Sequence, residues 1–316
     1  MSTRNLEKIF EPKSIAIIGA SDRKGSVGYI IFNNLIGSGY EGVVFPVNSK
    51  RNSVQGVKAF PSVSSLPEKP DLAVISTPAS TVPLLLEECG KTGIKGIIII
   101  SAGFAEMGNE GKELMDKIEE IRIKYDQRII GPNCLGVIHP KLKMNSSFAK
   151  NGINSGKIAF ISQSGALGTA VLDWAMSNNI GFSYFVSLGS MLDINFGDMI
   201  DYFGADNETE SIILYIESIK EAQRFMSASR GFAMNKPIIV VKSGRVAEGA
   251  KAAASHTGAM AGEDDIYDAA FKRVGMVRVD EIGDLFNCAE TLAKQPRPNG
   301  NRLAIITNAG GPGVMA

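Results

Sequence analysis

At 316 residues, with 44% hydrophobic and 21% charged residues, the chain has an ordinary globular composition and exceeds what one hydrophobic core usually serves. Two domains are therefore expected, with part of a third. Lysine plus arginine balance aspartate plus glutamate at 33 each, which excludes a bulk electrostatic attraction to nucleic acid or to an anionic membrane and leaves only local anion sites.

Met1 to Pro12 carries no signal-peptide core, and no apolar run reaches membrane-spanning length. Cys89, Cys134 and Cys288 are scattered and odd in number, a pattern of neither a disulfide framework nor a metal cluster, so no metal ligands are assigned and a reducing cytoplasm is expected. From Ser14 onward short apolar runs alternate with amphipathic stretches. Residues 14–18, 43–47, 71–76 and 96–101 read as buried strands, with 128–130 as a fifth, and 29–38, 81–91 and 110–125 carry helical spacing. Such alternation predicts a parallel sheet covered on both faces, with ligands at the carboxyl ends of its strands.

The first turn, Gly19-Ala20-Ser21-Asp22-Arg23-Lys24-Gly25-Ser26-Val27-Gly28, leaves a strand and opens a helix, where amides and the helix dipole hold a phosphate. Its glycines do not follow the G-x-G-x-x-G spacing of a dinucleotide site. The second strand closes on Asn48-Ser49-Lys50-Arg51, which is basic where a ribose-binding acid should stand. Basic residues there suit a nucleotide with an extra ribose phosphate, a property shared by NADP and coenzyme A. The remaining strand ends, Ser76-Thr77-Pro78-Ala79, Ser101-Ala102-Gly103-Phe104 and Gly131-Pro132-Asn133-Cys134-Leu135-Gly136, are small or turn-forming and admit an extended cofactor close to the backbone.

Periodicity is lost from 139 to 156, and a domain boundary is placed there. A second doubly wound series follows: strands at 157–162, 181–187, 211–216 and 237–242, and helices from Gln163-Ser164-Gly165-Ala166 to Ser177 and at 194–204, 221–231, 263–274 and 282–294. Ser162-Gln163-Ser164-Gly165 repeats the strand-to-helix position of the first turn, so a second phosphate site is expected there, although Ser164 as a plain helix cap uses the same amides. Glu217 closes the strand Ile212 to Ile216 with a carboxylate at its catalytic end. One of only two histidines, His256, lies in Ala254-Ser255-His256-Thr257-Gly258-Ala259-Met260-Ala261-Gly262, among side chains small enough for close approach. A neutral imidazole is a competent nucleophile, and a carboxylate on its other nitrogen fixes the tautomer and stabilises the cationic product.

This arrangement resembles the NDP-forming acyl-CoA synthetases, the superfamily that includes the alpha subunit of succinyl-CoA synthetase and ADP-forming acetate–CoA ligase. The resemblance covers essentially the whole chain. Ser255-His256-Thr257-Gly258-Ala259-Met260-Ala261-Gly262 is similar to the phosphohistidine loop of the ADP-forming enzymes. Gly131 to Gly136, Ile161 to Gly165, and the spacing from Glu217 to His256 match as well.

The resemblance implies an α/β chain with a Rossmann-like CoA-binding domain over 1–140, a flavodoxin-like ligase domain over 150–297, and the start of a third α/β domain over 298–316. It implies a three-step reaction. An acyl-CoA and phosphate give acyl phosphate and CoA, His256 takes the phosphoryl group with Glu217 as its carboxylate partner, and phosphohistidine passes it to ADP. Phosphate is expected on Ser162, Gln163, Ser164 and Gly165. CoA is expected on Ser21, Lys24, Gly25, Ser26 and Gly28, then on Asn48 and Lys50, then on Ser76, Pro78, Ser101, Ala102, Gly103 and Asn133, with the acyl group near 189–195.

ADP and ATP with Mg2+ imply an ATP-grasp domain or partner subunit, and nothing in the chain resembles one. Its last residues, from Arg302 to Ala316, look instead like one strand and turn of a further domain, as expected of a fragment. An oligomer is expected, with no nucleic acid and no membrane among the partners. Two alternatives remain open: a non-catalytic CoA-sensing or regulatory module, in which CoA binds without phosphorylation, and an NADP-dependent oxidoreductase.

Overall fold

The computed structural model describes residues 3–150, 152–245, 264–296, 300–302 and 304–315. The first sheet contains β1 (Ser14–Ile18), β2 (Val43–Val47), β5 (Leu72–Ile75), β6 (Gly96–Ile99) and β7 (Arg128–Ile130), with a short hairpin, β3 (Ser53–Val54) and β4 (Val57–Lys58), beside it. Its order is β2-β1-β5-β6-β7 and every neighbouring pair is parallel. The strands are short runs of isoleucine, valine and leucine buried on both faces, which requires cover on both sides. Helices α2 (Val27–Gly37), α3 (Val82–Thr92) and α4 (Asn109–Tyr125) supply it, after a single turn α1 (Glu7–Phe10).

The second sheet repeats this winding. Its strands β10 (Asn154–Ser162), β11 (Gly181–Ser187), β12 (Ser211–Ile216), β13 (Ile238–Lys242) and β14 (Val277–Val279) run parallel in the order β14-β13-β12-β10-β11. Helices α5 (Gly165–Ser177), α6 (Phe196–Ala205) and α7 (Ala222–Phe232) connect them, and helices Asp264–Val274 and Ile282–Lys294 follow. In each sheet the connections reverse direction beside the first strand, β1 or β10. That reversal opens a crevice at the carboxyl end.

The segment that lacks periodicity is structured. β8 (Gly136–His139) and β9 (Met144–Ser147) form an antiparallel hairpin on the free edge of β11, with Phe185 opposite Ile138. Four-residue strands with a proline and two lysines in their connection carry too little alternation to read from sequence. Residues 302–306, which read as a strand, have no regular structure at the described positions. Ile306 is 98% exposed there, and among the described residues no strand pairs with this segment. Gly310–Met315 forms a short helix after it.

Both sheets share one core. Leu6, Ile15, Ile98 and Ile130 of the first half and Val137, Ala159, Tyr184, Phe203 and Ile212 of the second belong to a single cluster. The seam also carries charge. Arg128, at the end of the first sheet, donates through Nε to Asp193 at 2.9 Å and lies 3.5 Å from Asp198, which Arg224 approaches at 2.5 Å. Asn195 caps α6 by accepting from Gly197 N–H at 2.8 Å, while the Asp198 carboxylate accepts from Asn195 N–H at 3.1 Å.

His139 is 4% exposed at the same seam. Its Nδ1–H donates to the Phe10 carbonyl at 2.9 Å and its ring lies 4.1 Å from that of Tyr184. Burial holds its pKa below the usual imidazole value. The unfolded chain therefore takes up a proton that the folded chain resists, so His139 contributes stability above about pH 6.5 and loses it as the pH falls below that. Urea titrations at pH 7.5 and 5.5 should show a smaller acid loss for His139→Gln than for the wild type; equal losses would remove this histidine from the account.

Candidate functional site

The carboxyl ends of the two sheets face one another across a cleft of about 1060 Å³, at the top of the range for small-molecule sites. The turn after β1 forms one wall. Gly19 takes a positive φ of 96°, and Gly28 packs so closely on the Gly19 carbonyl that any Cβ would collide with it. Ser26 caps α2: its Oγ accepts from Tyr29 N–H at 3.3 Å and donates to the Arg23 carbonyl at 2.7 Å.

Gln55, from the β3–β4 turn, braces this loop from outside. Its backbone N–H donates to Asp22 at 2.7 Å and its side-chain amide to the Ser21 and Tyr29 carbonyls at 3.2 and 3.1 Å. Asn48 donates to the Ala20 carbonyl at 2.8 Å and accepts from Lys50 N–H at 2.9 Å, so its side chain shapes the turn. Ser21, Ser26 and Gly28 line the cleft, whereas Lys24, Gly25, Asn48 and Lys50 stand outside its lining.

The ends of β5, β6 and β7 continue the surface with Ser76, Pro78, Ser101, Ala102 and Asn133, while Gly103 stands aside. Ser76 Oγ donates to the Ile18 carbonyl at 3.2 Å and Ser101 Oγ to the Thr77 carbonyl at 2.5 Å, which ties adjacent strand ends together. Cys134 also borders the cleft. Burial pushes its thiol up to about 12, so it stays protonated and is no nucleophile at neutral pH.

The opposite wall is the first turn of α5 with the end of β12. Ser164 caps the helix, accepting from Leu167 N–H at 3.3 Å. Gln163, Ser164 and Gly165 line the cleft, but Ser162 is buried, its hydroxyl donating to the Ser164 carbonyl at 2.7 Å and accepting from Ser164 N–H at 3.1 Å. The Gln163 side chain is committed to the neighbouring strand end. Its Oε1 accepts from the N–H groups of Glu217 and Ser218 at 2.9 and 3.0 Å, and its Nε2 donates to Ser218 Oγ at 3.1 Å. This clamp holds Glu217, 9% exposed, on the cleft wall. His256 lies outside the described residues.

Two helix N-termini, of α2 and α5, thus open onto one space, together with the cations Arg23 and Lys220 and the carboxylate of Glu217. Backbone N–H groups at two helix N-termini give this space two places suited to an anionic group, one beside each sheet. Sequence reasoning singled out neither Gln55 nor Lys220, because both reach the site through contacts with residues distant along the chain. Among the described residues there is no cluster of three or more histidine, cysteine or acidic side chains able to hold a metal, and no helix long and apolar enough to cross a membrane.

Residues 13–140 match the CoA binding domain family, and residues 155–292 match the succinyl-CoA ligase like flavodoxin domain. The alpha subunit of the ADP-forming acetate–CoA ligase I of Pyrococcus furiosus is 46% identical over 316 residues, spanning 99% of this chain and 68% of that subunit. The chain belongs to the NDP-forming acyl-CoA synthetase superfamily. An ADP-forming acetate–CoA ligase of Methanocaldococcus jannaschii is 47% identical over 311 residues, and this superfamily member spans only 44% of it. Among solved structures, the acetyl-coenzyme A synthetase 1 of Ca. Korarchaeum cryptofilum, in complex with phosphate and ADP, superposes with a TM-score of 0.93 at 39% identity, over 99% of this chain and 67% of that one.

Proposed function

We propose that the chain is the CoA-binding and phosphohistidine-forming part of an ADP-forming acid–CoA ligase. The observation that carries this reading is the convergence of the β1 turn, the α5 N-terminus and Glu217 on one cleft. CoA lies along the first wall, its phosphates near Ser21, Ser26 and Gly28 and its extra ribose phosphate towards Lys24, Gly25 and Lys50. The Asn48 side chain shapes that turn, and the pantetheine passes Ser76, Pro78, Ser101 to Gly103, and Asn133.

Inorganic phosphate sits at the first turn of α5, on the amides around Gln163, Ser164 and Gly165, with Ser162 supporting the turn. A phosphate oxygen attacks the thioester carbonyl carbon, the carbon–sulfur bond breaks, and CoA leaves as the thiolate. A nitrogen of His256 then attacks phosphorus, and the bond to the acyl oxygen breaks to release the carboxylate. Glu217 holds the ring and offsets the charge of phosphohistidine.

The last transfer, to ADP with Mg2+, takes place on an ATP-grasp domain or subunit. The division into 1–140, 150–297 and 298–316, a cytoplasmic location and an oligomeric assembly complete the proposal.

Calorimetric titration with CoA, and separately with NADPH, tests the first wall. CoA should bind and NADPH should not; NADPH binding without CoA would replace the ligase reading by an oxidoreductase. If CoA binds but acetyl-CoA with labelled phosphate puts no label on the chain, a CoA-sensing module is the better description.

A further inference from the structure

After Glu217 the chain turns through Ser218 and Ile219 to Lys220, which lines the cleft opposite the turn that closes β11. The Lys220 ammonium donates to the carbonyls of Ser190 and Met191 at 2.7 and 3.1 Å. That turn is itself pinned to the first sheet, since Ser190 N–H donates to the Pro132 carbonyl at 2.9 Å and Leu192 N–H to the Gly131 carbonyl at 3.1 Å. Lys220 therefore has a fixed place where both sheets meet.

An ammonium has three N–H donors, and two backbone carbonyls occupy two of them. No described carboxylate lies within ion-pair distance, and desolvation holds the ammonium below the usual lysine value. Lys220 is exposed on the cleft surface, so its third N–H faces the cleft space and is open to a ligand there. The nearby Glu217 makes the contrast chemical: one end of this wall carries a carboxylate suited to an imidazole, the other a cation suited to an anion.

We infer that Lys220 is the anion-holding residue of the acyl subsite, its third N–H donating to the carboxyl oxygen of a small carboxylic acid and to the same oxygen of its acyl phosphate. The inference rests on the ligase reading above. As the phosphorus–oxygen bond to the acyl group breaks, the electron pair goes to that oxygen and the acid leaves as its carboxylate. An ammonium already in place stabilises the growing charge without reorganisation. The aliphatic part of the acid then points away from Lys220, and chain length is selected by other residues.

Acetyl phosphate is the probe, titrated by calorimetry into the CoA-saturated chain for the wild type, Lys220→Met and Lys220→Arg. Methionine keeps most of the stem and removes only the charge. Lys220→Met should weaken acetyl phosphate binding on the order of tenfold to a hundredfold while leaving CoA affinity unchanged, and Lys220→Arg should restore most of the loss. Equal affinity in wild type and Lys220→Met, including undetectable binding in both, overturns the inference. So does a parallel loss of CoA affinity and melting temperature in Lys220→Met, which would reduce the residue to a tie on the 190–191 turn. A wild-type chain that binds no CoA would instead sink the ligase reading itself, and the inference with it.

Discussion

Replacing His256 by asparagine should abolish labelling of the chain by acetyl-CoA and radioactive phosphate, and Glu217→Gln should slow it by about 10²–10⁴-fold. The two substitutions separate nucleophile from support. Asparagine has no nitrogen able to take a phosphoryl group, so no turnover remains. Glutamine keeps the shape of Glu217 and the backbone bond from its N–H to Gln163 Oε1 at 2.9 Å, and removes only the charge that balances a phosphorylated ring. Single-turnover labelling, with the bond identified by its acid lability, reads both variants, while CoA affinity should stay at the wild-type value. A Glu217→Gln chain that labels at the wild-type rate would strip the carboxylate of its role, and a label that survives in His256→Asn would put the phosphoryl group on another residue.

Asp198→Ala should be the most destabilising single change at the seam between the sheets, by about 3–5 kcal/mol in a urea titration. Asp198 is fully buried, and its removal takes one carboxylate from the buried Arg128 guanidinium, which keeps Asp193 and the Arg4 carbonyl, and takes from Arg224 its 2.5 Å partner. It also removes the carboxylate that accepts from Asn195 N–H at the start of α6. Arg224→Ala should cost much less, since that side chain is 45% exposed and water replaces what it loses. The network joins the first sheet to the second, so a separation of one unfolding transition into two is expected alongside the loss. A cost below about 1 kcal/mol for Asp198→Ala would mean that the shared apolar core alone holds the sheets together.

Much of the architecture is legible in the chain itself. The strands Gly181–Ser187 and Ser211–Ile216 begin and end where their apolar runs do, and helix Ile282–Lys294 where its periodicity does. Each is long enough for its pattern to stand out from its neighbours. The hairpin Gly136–His139 with Met144–Ser147 is legible only once β11 is present to pair with it, because backbone pairing of Phe185 with Ile138 and Val186 with Val137, far apart in the chain, leaves no local signature.

The site divides in the same way. Glycine and serine at strand ends, with a helix after them, pointed to both strand-to-helix turns that line the cleft, since turn geometry and capping are local. What each polar side chain does there depends on neighbours that the fold supplies. Ser162 is spent inside its own turn, Asn48 holds the Ala20 carbonyl, and Gln163 grips the backbone of Glu217. Lys24, Gly25, Lys50 and Gly103 stand outside the cleft lining, while Arg23, Gln55 and Lys220 come into play instead.

By itself the sequence determined two doubly wound halves, two strand-to-helix turns suited to anions, and a carboxylate at a strand end, because periodicity, turn chemistry and strand polarity act over a few residues. Only the tertiary structure decided that the halves wind alike, share one apolar core beside the charged seam of Arg128, Asp193 and Asp198, and turn their strand ends towards one another. Those outcomes depend on burial and pairing between residues far apart in the chain, and it is there that a set of separate turns becomes a single cleft.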